Sequence, residues 1–138
     1  MYRDKTTLSA LIVSSSQKAA DYLHDILSKL RFSPVAEAVS IADAKRRQLE
    51  NQFDLVLINA PLPDDFGIEF AESLCTDSSV GVLLFVKAEL LEQVSYKVED
   101  YGVLTFPRPG TRQSITSAIR LAAATHNRLS AFERRAVK

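Results

Sequence analysis

Five polar residues stand at or just beyond the ends of short apolar runs. Ser14 and Ser15 follow residues 8–13, Asn59 follows 55–58, Lys87 follows 80–86, and Arg108 comes soon after 103–106. Together they offer two hydroxyls, one amide and two cations. Such a set can hold an anion or form a hydrogen-bonded network. It contains no nucleophile–base pair and no pair of carboxylates, so it argues against an enzyme. Ser14-Ser15-Ser16 superficially resembles a phosphate loop, but it lacks the glycines that let a backbone wrap a phosphate. His24 and His126 are far apart and lack ligand spacing, so they read as lone helical histidines, and no metal or other cofactor is expected. Cys75 has no histidine near it in sequence and reads as a packing residue.

The elements that must position these residues alternate along the chain. Residues 8–13, 34–39, 55–58, 80–86 and 103–106 read as strands. Between them, residues 17–30 carry Ala20, Leu23, Leu27 and Leu30 at helical spacing. Ser40 is placed to cap a helix to about residue 51, with Ser16 as cap of the first helix. Further helices are expected over about 68–74, 89–99 and from about 111 onward. Asn59 opens a loop rich in Pro, Asp and Gly. Five strands alternating with five helices predict an α/β fold of flavodoxin-like (βα)5 type, a doubly wound parallel five-stranded sheet with an extended last helix. In such sheets the working site lies at the carboxyl ends of the strands, where the strand order switches. That rule points at the same five polar residues.

Composition narrows the class. The chain has 138 residues, 46% hydrophobic and 25% charged, the size and profile of one globular domain. No apolar run approaches the ~20 residues of a membrane span. The polar N-terminus does not look like a signal peptide, and the single cysteine fits a cytoplasmic location. Formal net charge is zero, but residues 108–138 hold seven Lys or Arg against Glu133 alone. No aromatic residues are interleaved there to stack bases, so direct RNA binding by this chain is not expected.

Order and spacing at the strand ends resemble a response-regulator receiver domain, from Leu8 to about Ala124. The stretch from Asp54 to Glu69 matches the receiver segment in which a strand ends at the acceptor aspartate, with Leu62-Pro63 and Gly67 at the expected offsets. Val86-Lys87-Ala88 stands at the switch Thr/Ser, Arg108-Pro109 at the Lys-Pro, and Ser14-Ser15 at the acidic pair. Every chemical position departs from the pattern. In a working receiver the aspartate attacks a phosphoryl group, and Mg²⁺ held by the carboxylates neutralises charge. Asn59 offers a neutral amide instead, and Mg²⁺ favours hard anionic oxygens. The five positions carry two cations and no carboxylate. A further cation ~4 Å from either would be repelled by about 4 kcal/mol at an effective dielectric of ~20. The resemblance therefore implies a degenerate phosphoacceptor pocket, or pseudoreceiver, made of Ser14, Ser15, Asn59, Lys87 and Arg108. Asn59 is expected to tie the third strand to the serine loop. Lys87 is expected to pair with Asp64, Asp65 or Glu89, or to be solvated, and Arg108 to hold the fifth-strand loop.

The phrases 10–16, 54–63, 81–89 and 98–103 look closest to the N-terminal domain of ANTAR-type regulators, which implies a role in transcription antitermination. An RNA contact would then be made only through an output domain not in this chain. The expected organisation is a receiver-like domain over 1–124 and an extension of the last helix, a candidate coiled-coil linker, over 125–138. On that helix Ile115, Ala118, Ala122, Thr125, Leu129, Phe132 and Ala136 recur at alternating spacings of 3 and 4. The stripe predicts a parallel homodimer, with its first half also covering the sheet. A protein partner is a second possibility. Two other readings stay open: an atypical phosphorylation- or metal-responsive receiver, and a flavodoxin-like domain binding a small anionic ligand through Lys87 and Arg108.

Overall fold

The computed structural model describes residues 7–108 and 110–137, with side chains described as far as Ala131. Residues 1–6 of the polar N-terminus and the stripe positions Phe132 and Ala136 lie outside those described residues or side chains. The chain runs β1 (Ala10–Val13), α1 (Gln17–Lys29), β2 (Val35–Ala38), α2 (Ile41–Glu50), β3 (Leu55–Asn59), α3 (Ile68–Asp77), β4 (Gly81–Lys87), α4 (Leu91–Val98), β5 (Leu104–Arg108) and α5 (Arg112–Val137). All strands are parallel in the order β2-β1-β3-β4-β5, so the order reverses between β1 and β3. This is the flavodoxin-like (βα)5 arrangement.

Apolar residues on both faces explain why β1, β3 and β4 are central. Val13, Val56, Ile58, Val82, Leu84 and Val86 meet α2, α3 and α4 on one face. Ala10, Ile12, Leu55, Leu57, Leu83 and Phe85 meet α1 and α5 on the other. Strands covered on both sides must be apolar at every position. The period-2 alternation then carries past the last apolar residue and directs the polar ends.

Several boundaries differ from the sequence reading. β5 continues through Pro107 to Arg108. Proline is tolerated there because β5 is an edge strand, where one side of the backbone needs no ladder donor. The fourth helical region is an α-helix flanked by 3₁₀ turns at Ala88–Leu90 and Glu99–Tyr101. The third helix reaches Asp77, one turn beyond expectation. The serine caps are as read: Ser16 Oγ accepts from Ala19 N–H, and Ser40 Oγ from Asp43 N–H at 3.0 Å.

α5 packs its first half on the sheet, as the stripe predicts. It has 26 residues and is about 39 Å long. Ile115, Ala118 and Ala122 are buried in the chain's own core with α1 and the sheet, so they are not free to form a pairing surface. Leu129 is 43% exposed and Leu121 53%. α5 also approaches β4 closely: a Cβ on Gly81 would lie 2.8 Å from the Ala122 carbonyl oxygen, so only glycine fits there. Nor is His126 a lone histidine. Its Nδ1 lies 2.6 Å from the Ser79 carbonyl oxygen, and its Nε2 lies 3.1 Å from Asp54 Oδ1.

Candidate functional site at the carboxyl ends of the strands

Ser14, Asn59, Lys87 and Arg108 all continue the alternation that faces α1 and α5. Register brings them side by side. Val13 pairs with Ile58, which sets Ser14 beside Asn59, and Lys87 pairs with Arg108. Three of the four are linked. Arg108 Nη1 donates to Asn59 Oδ1 at 3.0 Å, and Asn59 Nδ2 donates to Ser14 Oγ at 3.1 Å. Ser14 Oγ in turn donates to the Ser16 carbonyl and accepts from Ser16 N–H, both at 3.1 Å. The guanidinium has only donors and so fixes which end of the amide faces it. Ser14 and Asn59 are buried, and the network satisfies their polar groups.

Ser15 is exposed and does not join this network, because the alternation turns it away from Ser14. Lys87 is exposed, and no hydrogen bond or ion pair engages it among the described residues. Two of the three acidic partners expected for it are used elsewhere. Asp64 caps α2, accepting from the N–H groups of Ile41 (3.0 Å) and Ala42 (2.9 Å). These two bonds, Ile41 first, hold the Asp64 carboxyl below its ordinary value. Asp65 accepts from Gly67 N–H at 2.9 Å, inside its own loop. Gly67 has φ +107, and a Cβ there would lie 3.2 Å from Ile58 Cγ2, which explains the glycine at this offset.

Beside the network is a cavity of about 510 Å³ between α1, α5 and the ends of β3, β4 and β5. Asn59, Lys87 and Arg108 line it, and among the described residues Lys87 and Arg108 are the only charged ones in its lining. Tyr22, Leu23, Phe85 and Ile115 form its apolar wall. Sequence reasoning missed that wall. Phe85 and Ile115 read as core from their spacing, and nothing local showed that α1 and α5 leave a gap above them. Among the described residues no group of three or more His, Cys, Asp or Glu could hold a metal ion. Cys75 is half-buried, and burial pushes its thiol up to about 11, away from the reactive thiolate. No helix among the described residues is long and apolar enough to cross a membrane.

Comparison of the sequence with family models gives no match, and comparison with curated proteins gives none. Comparison of the structure gives many. The adenylate cyclase structure from Rhodopirellula baltica superposes with a TM-score of 0.84 at 18% identity, covering 96% of this chain and 98% of that one. The signal receiver domain of an HD domain-containing protein from Pseudomonas fluorescens Pf-5 gives 0.80 at 20%, covering 97% and 98%. The chemotaxis response regulator CheY4 of Vibrio cholerae gives 0.74 at 15%, covering 85% and 99%. At these identities the likeness is one of fold, and the fold of this chain is that of response-regulator receiver domains.

Proposed function

We propose that this chain is a receiver-like signalling module that works without phosphoryl transfer, a pseudoreceiver rather than an enzyme. The observation that carries the reading is the donor chain from Arg108 through Asn59 to Ser14, which occupies the strand ends where a working receiver keeps its carboxylates. An amide held on both sides by hydrogen bonds is neither a nucleophile nor an anionic metal ligand. Incubation with acetyl phosphate and Mg²⁺, read by intact-mass spectrometry, is expected to leave the protein unlabelled. Asn59→Asp is expected to stay unlabelled too, since Ser14 and Ser15 still supply no acidic pair. A phosphoryl adduct mapped to this site in the unaltered protein would overturn the reading.

The phrases shared with ANTAR-type regulators support a place in transcription antitermination, in the cytoplasm, with RNA met only through an output domain outside this chain. Pairing as a homodimer would use the distal part of α5, around Leu129 and beyond, since the proximal stripe is core. Sedimentation velocity is the check. Removal of residues 128–138 is expected to shift a dimer toward monomer, and an equally tight dimer would sink the helical pairing.

A further inference from the structure

We propose that the cavity beside the Ser14–Asn59–Arg108 network binds a small amphipathic organic anion: a carboxylate on a flat apolar body. The inference goes beyond the absence of phosphoryl transfer, because it names what the same end of the sheet would accept.

Three observations carry it. The first is charge. Lys87 and Arg108 are adjacent by register, line the cavity, and have no carboxylate beside them in its lining among the described residues. The second is unused donor capacity. Lys87 engages no partner among the described residues, and Arg108 uses only Nη1, on Asn59. An oxygen anion in the cavity would meet these unused donors. The third is the remainder of the wall. Tyr22, Leu23, Phe85 and Ile115 would leave inorganic phosphate facing hydrocarbon on most sides, whereas an aromatic or branched aliphatic body would bury apolar surface there. About 510 Å³ falls within the usual range for small-molecule sites, and a few polar groups at one end of an apolar cavity is their usual pattern.

The test is a ¹H–¹⁵N titration of the full chain with naphthalene-2-carboxylate, run beside naphthalene-2-carboxamide and inorganic phosphate. Saturable shifts are expected at Asn59, Lys87, Arg108 and Ile115 with the carboxylate. The carboxamide should bind at least about tenfold more weakly, the loss expected for one charge-assisted hydrogen bond. Phosphate should be weaker still. Lys87→Gln, at an exposed position outside the network, should weaken the carboxylate by a similar factor while the spectrum stays folded. Ala19→Phe, which fills the cavity from α1, should abolish binding. The proposal is overturned if no saturable shift appears up to several millimolar, if acid and amide bind alike, if Lys87→Gln changes nothing, or if phosphate matches the carboxylate. A negative titration leaves the phosphodonor result standing, and a phosphoryl adduct would refute the pseudoreceiver reading without deciding this one.

Discussion

The two ends of the sheet bury polar groups in opposite ways. At the carboxyl ends, a neutral amide and a serine are tied to a guanidinium, and the cations face a cavity. At the amino ends, Asp54 is buried beneath β3. Its Oδ2 accepts from Ser9 N–H at 2.8 Å and Ser9 Oγ at 3.1 Å, and its Oδ1 faces His126. Both His126 ring nitrogens lie within hydrogen-bonding distance of oxygens, Nδ1 of the Ser79 carbonyl and Nε2 of the Asp54 carboxyl. Ser79 and Ser130 hydroxyls meet 3.2 Å apart in the same region. Among the described residues the chain therefore buries an acidic side chain, Asp54, at the amino ends of the strands and none at the carboxyl ends. The amino end is a closed clamp between α5 and the sheet, and the carboxyl end is a partly satisfied, cationic opening.

That contrast predicts unequal costs. Asp54→Ala leaves His126 facing a buried gap, and removing one partner of a buried pair costs about 3–5 kcal/mol. Urea unfolding should show a loss of that size, with α5 amides near His126 losing exchange protection first. A loss under about 1 kcal/mol would mean the clamp is solvated and the contrast false. Asn59→Ala breaks the opposite end. There the cavity gives water access to the freed Arg108 donors, so the loss should be only about 1 kcal/mol by the same measurement.

The smallest effect concerns Asp64. Its carboxyl is held below 3.8 by the Ile41 and Ala42 N–H groups in the folded chain. A carboxyl depressed on folding contributes stability that is present above its unfolded value and lost as pH falls through the folded one. Asp64→Asn should therefore flatten the acid limb of the stability profile below about pH 4, leaving neutral pH little changed apart from a weakened cap. An unaltered acid limb would show that the α2 cap does not titrate with folding.

Much of this was legible in the sequence because short-range rules apply to it. The apolar runs at 55–58 and 80–86 marked strands covered on both faces, and Ser16 and Ser40 marked helix starts. The polar residues closing the strands marked the end where the Ser14–Asn59–Arg108 network and the cavity lie. Two features escaped for physical reasons. The Asp54–His126 pair joins residues 72 positions apart, through packing that no local pattern encodes. Asp64 and Asp65, two of the acids expected to meet Lys87, are committed instead to the backbone donors of Ile41, Ala42 and Gly67.

The close passage of α5 over Gly81 has a mechanical consequence. Ile115 borders the cavity seven residues before the contact at Ala122, and Leu129 lies seven residues after it. At ~1.5 Å rise per residue the two arms are each about 10 Å long. Both arms are held to the sheet, by the buried Ile115, Ala118 and Ile119 before that point and by His126 after it, so the helix cannot tilt about Ala122 without breaking one of these contacts. With glycine at Gly81, the helix meets the strand backbone there with no side chain between them, and a Cβ added at that one position would push on both held arms at once.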